Sequence, residues 1–381
     1  MRVVFLDHVA RLSGAEIGML RLIAAADEVD AVVVLAEDGP LVAPLREAGA
    51  QVDVLPLAEG ARGLSKGKVR PGASLAGAAV HMPGYVRAVA RRLRELDPDL
   101  VHTMSLKAGI YGTFAARLAR LPVVWHLHDR LAADYLPRPA VGLLRVLART
   151  LPSALVAPSS STLATVGRPF RPGVRRAVIP LPVPIPARPC EVRDRVQRVG
   201  IVGRLTPWKG QHVFLEAFAR AFPDPTIHAA VIGAATFGEQ AYERALRAQA
   251  RALGIEDRVE FTGFVADIPG ELQRLDLLVH ASVLPEPLGL AVIEGMAAGV
   301  PVLAADAGGP AEYIEDGREG LLYPPGDVEA LAGALGRATR DRDLRVSMSA
   351  SGRRKAHAFA PEAVVGRMLA LYRDVATRHR T

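Results

Sequence analysis

The spacing of apolar and polar positions changes period repeatedly along the chain. Short apolar runs at residues 3–6, 31–35, 100–103, 123–128, 154–157 and 177–179 alternate with longer stretches whose apolar residues recur every three or four positions. Runs of the first kind read as strands buried on both faces and the longer stretches as helices. Their alternation predicts a parallel sheet covered by helices on both sides. The pattern breaks at residues 179–189, Ile-Pro-Leu-Pro-Val-Pro-Ile-Pro-Ala-Arg-Pro. Proline fixes φ and lacks an N–H, which rules out an interior strand or helix and predicts a stiff, extended connector.

Beyond the connector the alternation restarts, with strand-like runs at 199–202, 226–233, 259–262, 277–280, 300–304 and 320–323. Helical spacing covers 211–222, 240–253 and 290–298, and a last helix over 360–380 has Val364, Met368, Leu369 and Tyr372 on one face. Two α/β units of this kind bind ligands at the carboxyl ends of their strands, and a cleft between them is expected. Residues 57–74, rich in Gly, Lys, Arg and Ser, are expected to form a loop.

Composition narrows the class. Half of the 381 residues are apolar and 23% are charged, as in an ordinary soluble protein. A single cysteine, Cys190, excludes an internal disulfide framework and fits a reducing compartment, so a cytoplasmic location is expected. The first apolar run starts at once and is too short for a signal-peptide core, so it reads as a strand. The longest apolar stretch, 288–309, contains Glu294 and Asp306 and is interrupted by Gly299, Pro301, Gly308 and Gly309, unlike a membrane-spanning helix. The net charge of +7 comes mostly from arginines on helical stretches, such as Arg87, Arg91, Arg92 and Arg94. Solvated helix faces, a membrane surface at the inner leaflet or an anionic acceptor all fit that excess. Nucleic acid does not, because no basic block is interleaved with aromatics and aromatics are only 5% of the chain.

Two motifs carry chemistry. Gly203-Arg204-Leu205-Thr206-Pro207-Trp208-Lys209-Gly210 directly follows a strand and places two cations where a diphosphate could sit. It lacks the glycine spacing and Gly-Lys-Ser/Thr ending of a Walker loop, and alone it reads as a solvated turn. The second runs from Ser282 through Glu286, Leu288, Gly289, Leu290 and Glu294 to Pro301, after the strand at 277–280. Backbone N–H groups at Gly289 and Leu290 would form the positive end of a helix, a site for phosphate. Glu286 and Glu294 flank it and can accept hydrogen bonds from sugar hydroxyls. As a plain surface residue Glu294 would be harder to explain, because Val292, Ile293 and Met296 around it are apolar.

Together these motifs resemble the retaining family 4 glycosyltransferases. The Arg–Lys loop, the two glutamates eight residues apart, Asp306-Ala-Gly-Gly-Pro and Asp316-Gly-Arg-Glu-Gly follow that family's order across residues 199–325. The resemblance implies a GT-B fold: two Rossmann-like domains facing a central cleft, an acceptor-binding one at 1–183 joined by the helix at 360–380, and a nucleotide-sugar-binding one at 184–359. It also implies a UDP- or GDP-sugar donor. Arg204 and Lys209 would hold the diphosphate, Glu286 the donor sugar's hydroxyls and Glu294 the ribose. Gly203, Leu288, Gly289 and Leu290 would complete that set, and Gly263-Phe264-Val265 would meet the base through backbone. Gly14, in Ser13-Gly14-Ala15-Glu16, would belong to the glycine loop facing donor and acceptor. His128 matches a histidine that reaches the transferred sugar, with His126 two residues earlier as its rival. Arg204, Lys209, Glu286 and His128 are thus the expected catalytic set.

Where relatives carry His-x-His after the strand at 100–103, this chain has His102-Thr103-Met104, and where they carry Asn-Gly near the connector it has Pro180-Leu-Pro-Val. Both departures touch the acceptor side or the hinge and leave the acceptor unidentified. Asp97-Pro98-Asp99 spells a metal-binding Asp-x-Asp but precedes a strand at the amino end of the sheet, so it reads as a turn. The expected reaction needs no metal or other cofactor. An epimerase or phosphorylase on the same scaffold, and a catalytically silent nucleotide-binding scaffold partner, are the rival readings.

Overall fold

The computed structural model describes residues 1–57, 73–223, 225–236 and 238–380, without side chains for 73–81 and 380. The chain divides into two compact units, Met1–Pro182 with Pro361–Thr381, and Val183–Ala360. The crossings at 182–183 and 360–361 are linked, because the Val183 N–H donates to the Phe359 carbonyl at 2.8 Å.

The first unit is a seven-stranded parallel sheet of β1 (Arg2–Asp7), β2 (Asp30–Leu35), β3 (Gln51–Val54), β4 (Leu100–Thr103), β5 (Val123–His126), β6 (Ala154–Ala157) and β7 (Arg175–Val178), in the order β3-β2-β1-β4-β5-β6-β7. Val3 to Leu6 are buried on both faces, which is why β1 reads as an unbroken apolar run. Alternate residues serve opposite cores. Val3 and Phe5 pack with Met19, Leu22, Val364, Met368 and Tyr372, while Val4 and Leu6 pack with Val89, Leu93, Tyr111 and Ala115. The helix Pro361–Arg380 is therefore part of the first unit's core. Each such buried side chain contributes roughly 1.5–3 kcal/mol relative to exposure.

The second unit has six parallel strands: β8 (Arg198–Val202), β9 (His228–Ile232), β10 (Val259–Gly263), β11 (Leu277–His280), β12 (Val302–Ala305) and β13 (Leu321–Tyr323), in the order β10-β9-β8-β11-β12-β13. In each sheet the strand order reverses once, between β1 and β4 and between β8 and β11. At such switch points neighbouring connections diverge and leave a crevice at the carboxyl ends.

Several boundaries differ from the sequence pattern by one or more residues. β12 opens at Val302 rather than residue 300, since Pro301 has no N–H and joins only by accepting from Leu278. β5 stops at His126, with Leu127 making a last bond to the Val156 carbonyl at 2.7 Å, so His128 lies beyond the strand. β3 is an additional edge strand. Of the loop expected at 57–74, residues 58–72 lie outside the described residues, and Ala73 and Ser74 begin the helix Ala73–Leu96. No helix among the described residues is long and apolar enough to cross a membrane.

Candidate active site

The second unit's crevice is built from the segments after β8 and β11. After β8 the chain passes Gly203 and Arg204, makes a tight turn at Pro207–Lys209 and enters the helix Gln211–Ala221. Arg204 is half-buried, and its carbonyl accepts from Gln211 Nε2 at 2.9 Å. Lys209 lies over the Trp208 ring, 4.6 Å from its centre, and reaches Glu286 Oε1 at 2.5 Å. The other carboxylate oxygen of Glu286 accepts from His280 Nε2 at 2.7 Å and from the Ser282 hydroxyl at 2.9 Å. Burial tends to push a carboxyl's pKa up. Here the Lys209 ammonium and the His280 hydrogen bond outweigh burial and hold Glu286 well below the usual carboxylate range.

The glycine-rich segment at 306–310 serves this glutamate. Gly308 pairs with Glu286 in a parallel bridge, and the Gly309 N–H donates to the Glu286 carbonyl at 2.8 Å. Gly308 has φ +68°, and a Cβ there would lie 2.2 Å from the Glu286 carbonyl oxygen, so both conformation and space demand glycine. The Tyr313 hydroxyl donates to the Leu288 carbonyl at 2.9 Å, and Gly289, with φ +79°, caps the helix Leu290–Ala298. Leu288 is buried, Leu290 opens the helix, and Glu294 is half-buried one turn further on, beside buried Val292, Ile293 and Met296. Gly263 is the last residue of β10, and Phe264 and Val265 follow it, with Phe264 63% exposed and Val265 half-buried. Asp316 shapes the turn before β13 by accepting from the Leu322 N–H at 2.9 Å.

The structure thus brings Lys209 and Glu286 into direct contact, and the loop that carries Glu286 runs through Gly289 into the helix that opens at Leu290. The sequence reading did not single out His280 and named Ser282 only as the start of the motif, yet both hold the Glu286 carboxylate. The signal for them was a polar residue closing an otherwise apolar run, with a hydroxyl two residues on.

In the first unit, polar residues gather at the ends of β1, β4 and β5. Asp7 is fully buried, and its Oδ1 accepts from the His8 N–H at 2.6 Å. His8 Nδ1 meets the Ser105 hydroxyl at 2.7 Å. Gly14 is exposed as the first residue of the helix Gly14–Ala24, and the Ser13 hydroxyl donates to Glu16. Burial first, then the nearby Asp7 carboxylate, pushes the Glu16 carboxyl up to about 8. His128 is packed against His126, ring centres 4.0 Å apart, and burial pushes its pKa down to about 4 against the pull of Asp129 and Asp7. Asp97, at φ 46°, ends the helix Ala73–Leu96, and Asp99 Oδ2 accepts from the Arg2 N–H at the amino end of β1.

Fold and site define a two-unit, Rossmann-like α/β protein with charged groups at a switch point. Among known families, the glycosyl transferases group 1 profile matches residues 191–355, and the glycosyl transferase 4-like domain profile matches residues 13–182. The chain belongs to the group 1 glycosyl transferases of family 4, with the GT-B fold. It is 34% identical over 207 residues to an exopolysaccharide phosphotransferase of Streptomyces coelicolor, covering 54% of this chain and 21% of that one. Identity is also 34% over 185 residues with the GDP-mannose-dependent α-(1-6)-phosphatidylinositol monomannoside mannosyltransferase of Mycobacterium tuberculosis, covering 45% of this chain and 46% of that one. The matches therefore span less than half the length of these relatives. Among solved structures, Anabaena HepE in complex with UDP and glucose superposes with a TM-score of 0.83 at 28% identity, covering 97% of this chain and 99% of that one. HepE is also known in complex with UDP-glucose.

Proposed function

We propose that this protein transfers a sugar from a nucleotide diphosphate to a hydroxyl of an acceptor, with retention of anomeric configuration and without a metal ion. The observation that carries this reading is the Lys209–Glu286 pair at 2.5 Å, beside the start of the helix Leu290–Ala298. Arg204, Lys209 and the free N–H groups at that helix start are donors suited to the charge that develops on the leaving diphosphate. Preorganised donors of this kind are each worth about 3–4 kcal/mol of transition-state stabilisation. Glu286, ionised and held by His280 and Ser282, takes the sugar's hydroxyls, Glu294 takes the ribose and His128 the transferred sugar. In the step itself, the bond from the anomeric carbon to the phosphate oxygen breaks and the acceptor oxygen attacks the same face. Its proton passes to the departing phosphate.

The donor we favour is a UDP- or GDP-sugar, in line with the HepE complexes and the GDP-mannose-dependent relative. A thermal-shift panel of UDP, GDP and ADP, with and without their sugars and repeated in EDTA, tests this directly. A ligand specific for the folded state at about 100 times its Kd adds roughly 2.7 kcal/mol. Stabilisation by one diphosphate that survives EDTA is expected, whereas stabilisation that vanishes in EDTA would overturn the metal-free reading. Proton NMR of the product tests retention, and an inverted anomer would overturn it.

We further propose an anionic, membrane-borne acceptor and peripheral contact with a bilayer. The basic excess is not evenly spread. Residues 100–182 hold eleven Lys and Arg against two Asp and Glu, a surplus of nine where the whole chain's is +7. Two helices in this stretch, Leu106–Ala119 and Arg138–Thr150, contain no acidic residue. They share one apolar cluster through Ile110 and Leu144, and they expose Phe114, Leu118, Leu143 and Val146. Exposed apolar side chains set among arginines suit an anionic lipid surface.

A further inference from the structure

A line of buried polar side chains runs from the last helix into the first unit's crevice. Tyr372, on the helix Pro361–Arg380, is 1% exposed, and its hydroxyl lies 2.5 Å from His102 Nδ1 on β4. His102 Nε2 lies 3.2 Å from His126 Nδ1 on β5. His126 Nε2 is buried and has no hydrogen-bond partner among the described residues. The same is true of Nε2 of His128, whose ring packs on that of His126.

The direction of this chain follows from the inventory of protons. A buried phenol must place its one proton on an acceptor, and the acceptor Tyr372 has is His102 Nδ1. His102 then carries its own proton on Nε2 and donates to His126 Nδ1. His126, having accepted on Nδ1, carries its proton on Nε2. The reverse direction would make the phenol an acceptor and strand its proton in an apolar core. Burial pushes the pKa of all three histidines down, so each ring holds one proton.

We propose that Tyr372 and His102 are positioning residues that fix His126 as an Nε2–H donor, and that His126 and His128 together form a subsite for a neutral sugar hydroxyl. The subsite rests on the transferase reading above; the tautomer chain does not. A hydroxyl fits because it can accept from His126 Nε2–H and still donate, and because uncharged rings offer an anion little. Tyr372 thereby gives the helix Pro361–Arg380 a role beyond packing, since its hydroxyl sets the hydrogen-bonding sense of a ring two strands away.

Long-range 1H–15N correlation on histidine-labelled protein at pH 7.5 tests the chain. His102 and His126 are expected as Nε2–H tautomers, and His126 found as Nδ1–H would overturn the proposal with no variant needed. In Tyr372→Phe the Nε2–H signature of His126 should give way to a tautomer mixture, with kcat for transfer lowered about tenfold. An unchanged His126 signature in that variant would refute the positioning role. Adding the nucleotide sugar that binds should shift His126 Nε2, whereas the sugar-free nucleoside diphosphate should not. Equal shifts from both would remove the hydroxyl assignment. If no nucleotide stabilises the protein while His126 remains Nε2–H, the transferase reading fails and the tautomer chain stands.

Discussion

Lys209 and Glu286 stand 77 residues apart in sequence and 2.5 Å apart at the second unit's switch point. With His280 and Ser282 on its other oxygen, the Glu286 carboxylate is fixed before any ligand arrives. Glu286→Gln keeps its shape and removes its charge. Transfer is expected to slow by about two to three orders of magnitude, equivalent to roughly 3–4 kcal/mol, while nucleoside diphosphate affinity changes only a few-fold. Steady-state kinetics and calorimetric titration of the variant check this, and near wild-type turnover would refute the role assigned to Glu286.

Gly308 makes a prediction about the same loop from its backbone side. A Cβ at Gly308 would press on the Glu286 carbonyl at 2.2 Å and its nitrogen at 2.6 Å. The left-handed conformation adds about 1–2 kcal/mol of strain for any other residue. Gly308→Ala should therefore lower stability by more than about 2 kcal/mol and weaken transfer by displacing Glu286. Gly142→Ala is the control, being exposed within the helix Arg138–Thr150 with nothing near its missing Cβ. There alanine should be neutral or stabilising by about 0.5–1 kcal/mol. Urea unfolding of both variants separates the two, and equal effects would undo the steric argument.

How much of the fold and site is legible in the sequence varies with the physics involved. The interior strands at 100–103, 154–157 and 277–280 and the helix at 290–298 stand at the residues their pattern marks, because full burial leaves an unbroken apolar run and glycines punctuate the helix. The edge strand Gln51–Val54 is not legible that way, since Gln51 and Val54 are exposed and its residues alternate in polarity over only four positions. The glycines at 308–309 are visible in the sequence, but their abutment on Glu286 is not. The ring of donors around Glu286 draws on residues from β11, the turn after β8 and the loop between, which only strand order brings together. The Tyr372–His102 contact spans 270 residues and depends on where the last helix returns.

Stability should fall on both sides of neutrality, for different reasons. His102, His126 and His128 are held neutral, with folded values below the ordinary 6.5. The unfolded chain therefore takes up more protons as pH falls through 6.5, and stability drops toward acid. Glu16 works in the opposite sense. Its folded value of about 8 lies above the unfolded 4.5, so the folded state holds the extra proton, and stability falls as pH rises toward 8 and levels off beyond it. Above 7 the histidines no longer contribute, which leaves Glu16 visible with a limiting slope of about 1.4 kcal/mol per pH unit. Glu16→Gln should flatten the curve between pH 7 and 8.5 and steepen the acid limb, where Glu16 opposes the histidines down to its unfolded 4.5. Urea midpoints measured across pH 5–9 test this, and an unchanged alkaline limb in the variant would rule Glu16 out as its source.

The acid-free face of the first unit makes the last prediction. Leu143 and Val146 are 59% and 48% exposed on a helix whose charges are all positive. Replacing both with glutamate removes two apolar contacts and reverses the local field, without touching the buried Val141, Leu144 and Ala148. Each arginine near an anionic leaflet contributes about 1 kcal/mol, and that attraction fades beyond the Debye length of ~10 Å at 0.1 M salt. The wild-type protein should co-sediment with vesicles containing phosphatidylglycerol and should be largely released by 0.5 M salt. Vesicles of phosphatidylcholine alone should bind little. The Leu143→Glu, Val146→Glu double variant should bind the anionic vesicles at least tenfold more weakly, while keeping its thermal midpoint and its response to nucleotide. If the double variant sediments like the wild type, the face is solvated and the surplus of arginine serves the acceptor or solubility instead. If the wild type ignores anionic vesicles altogether, the acceptor is to be sought among soluble anions.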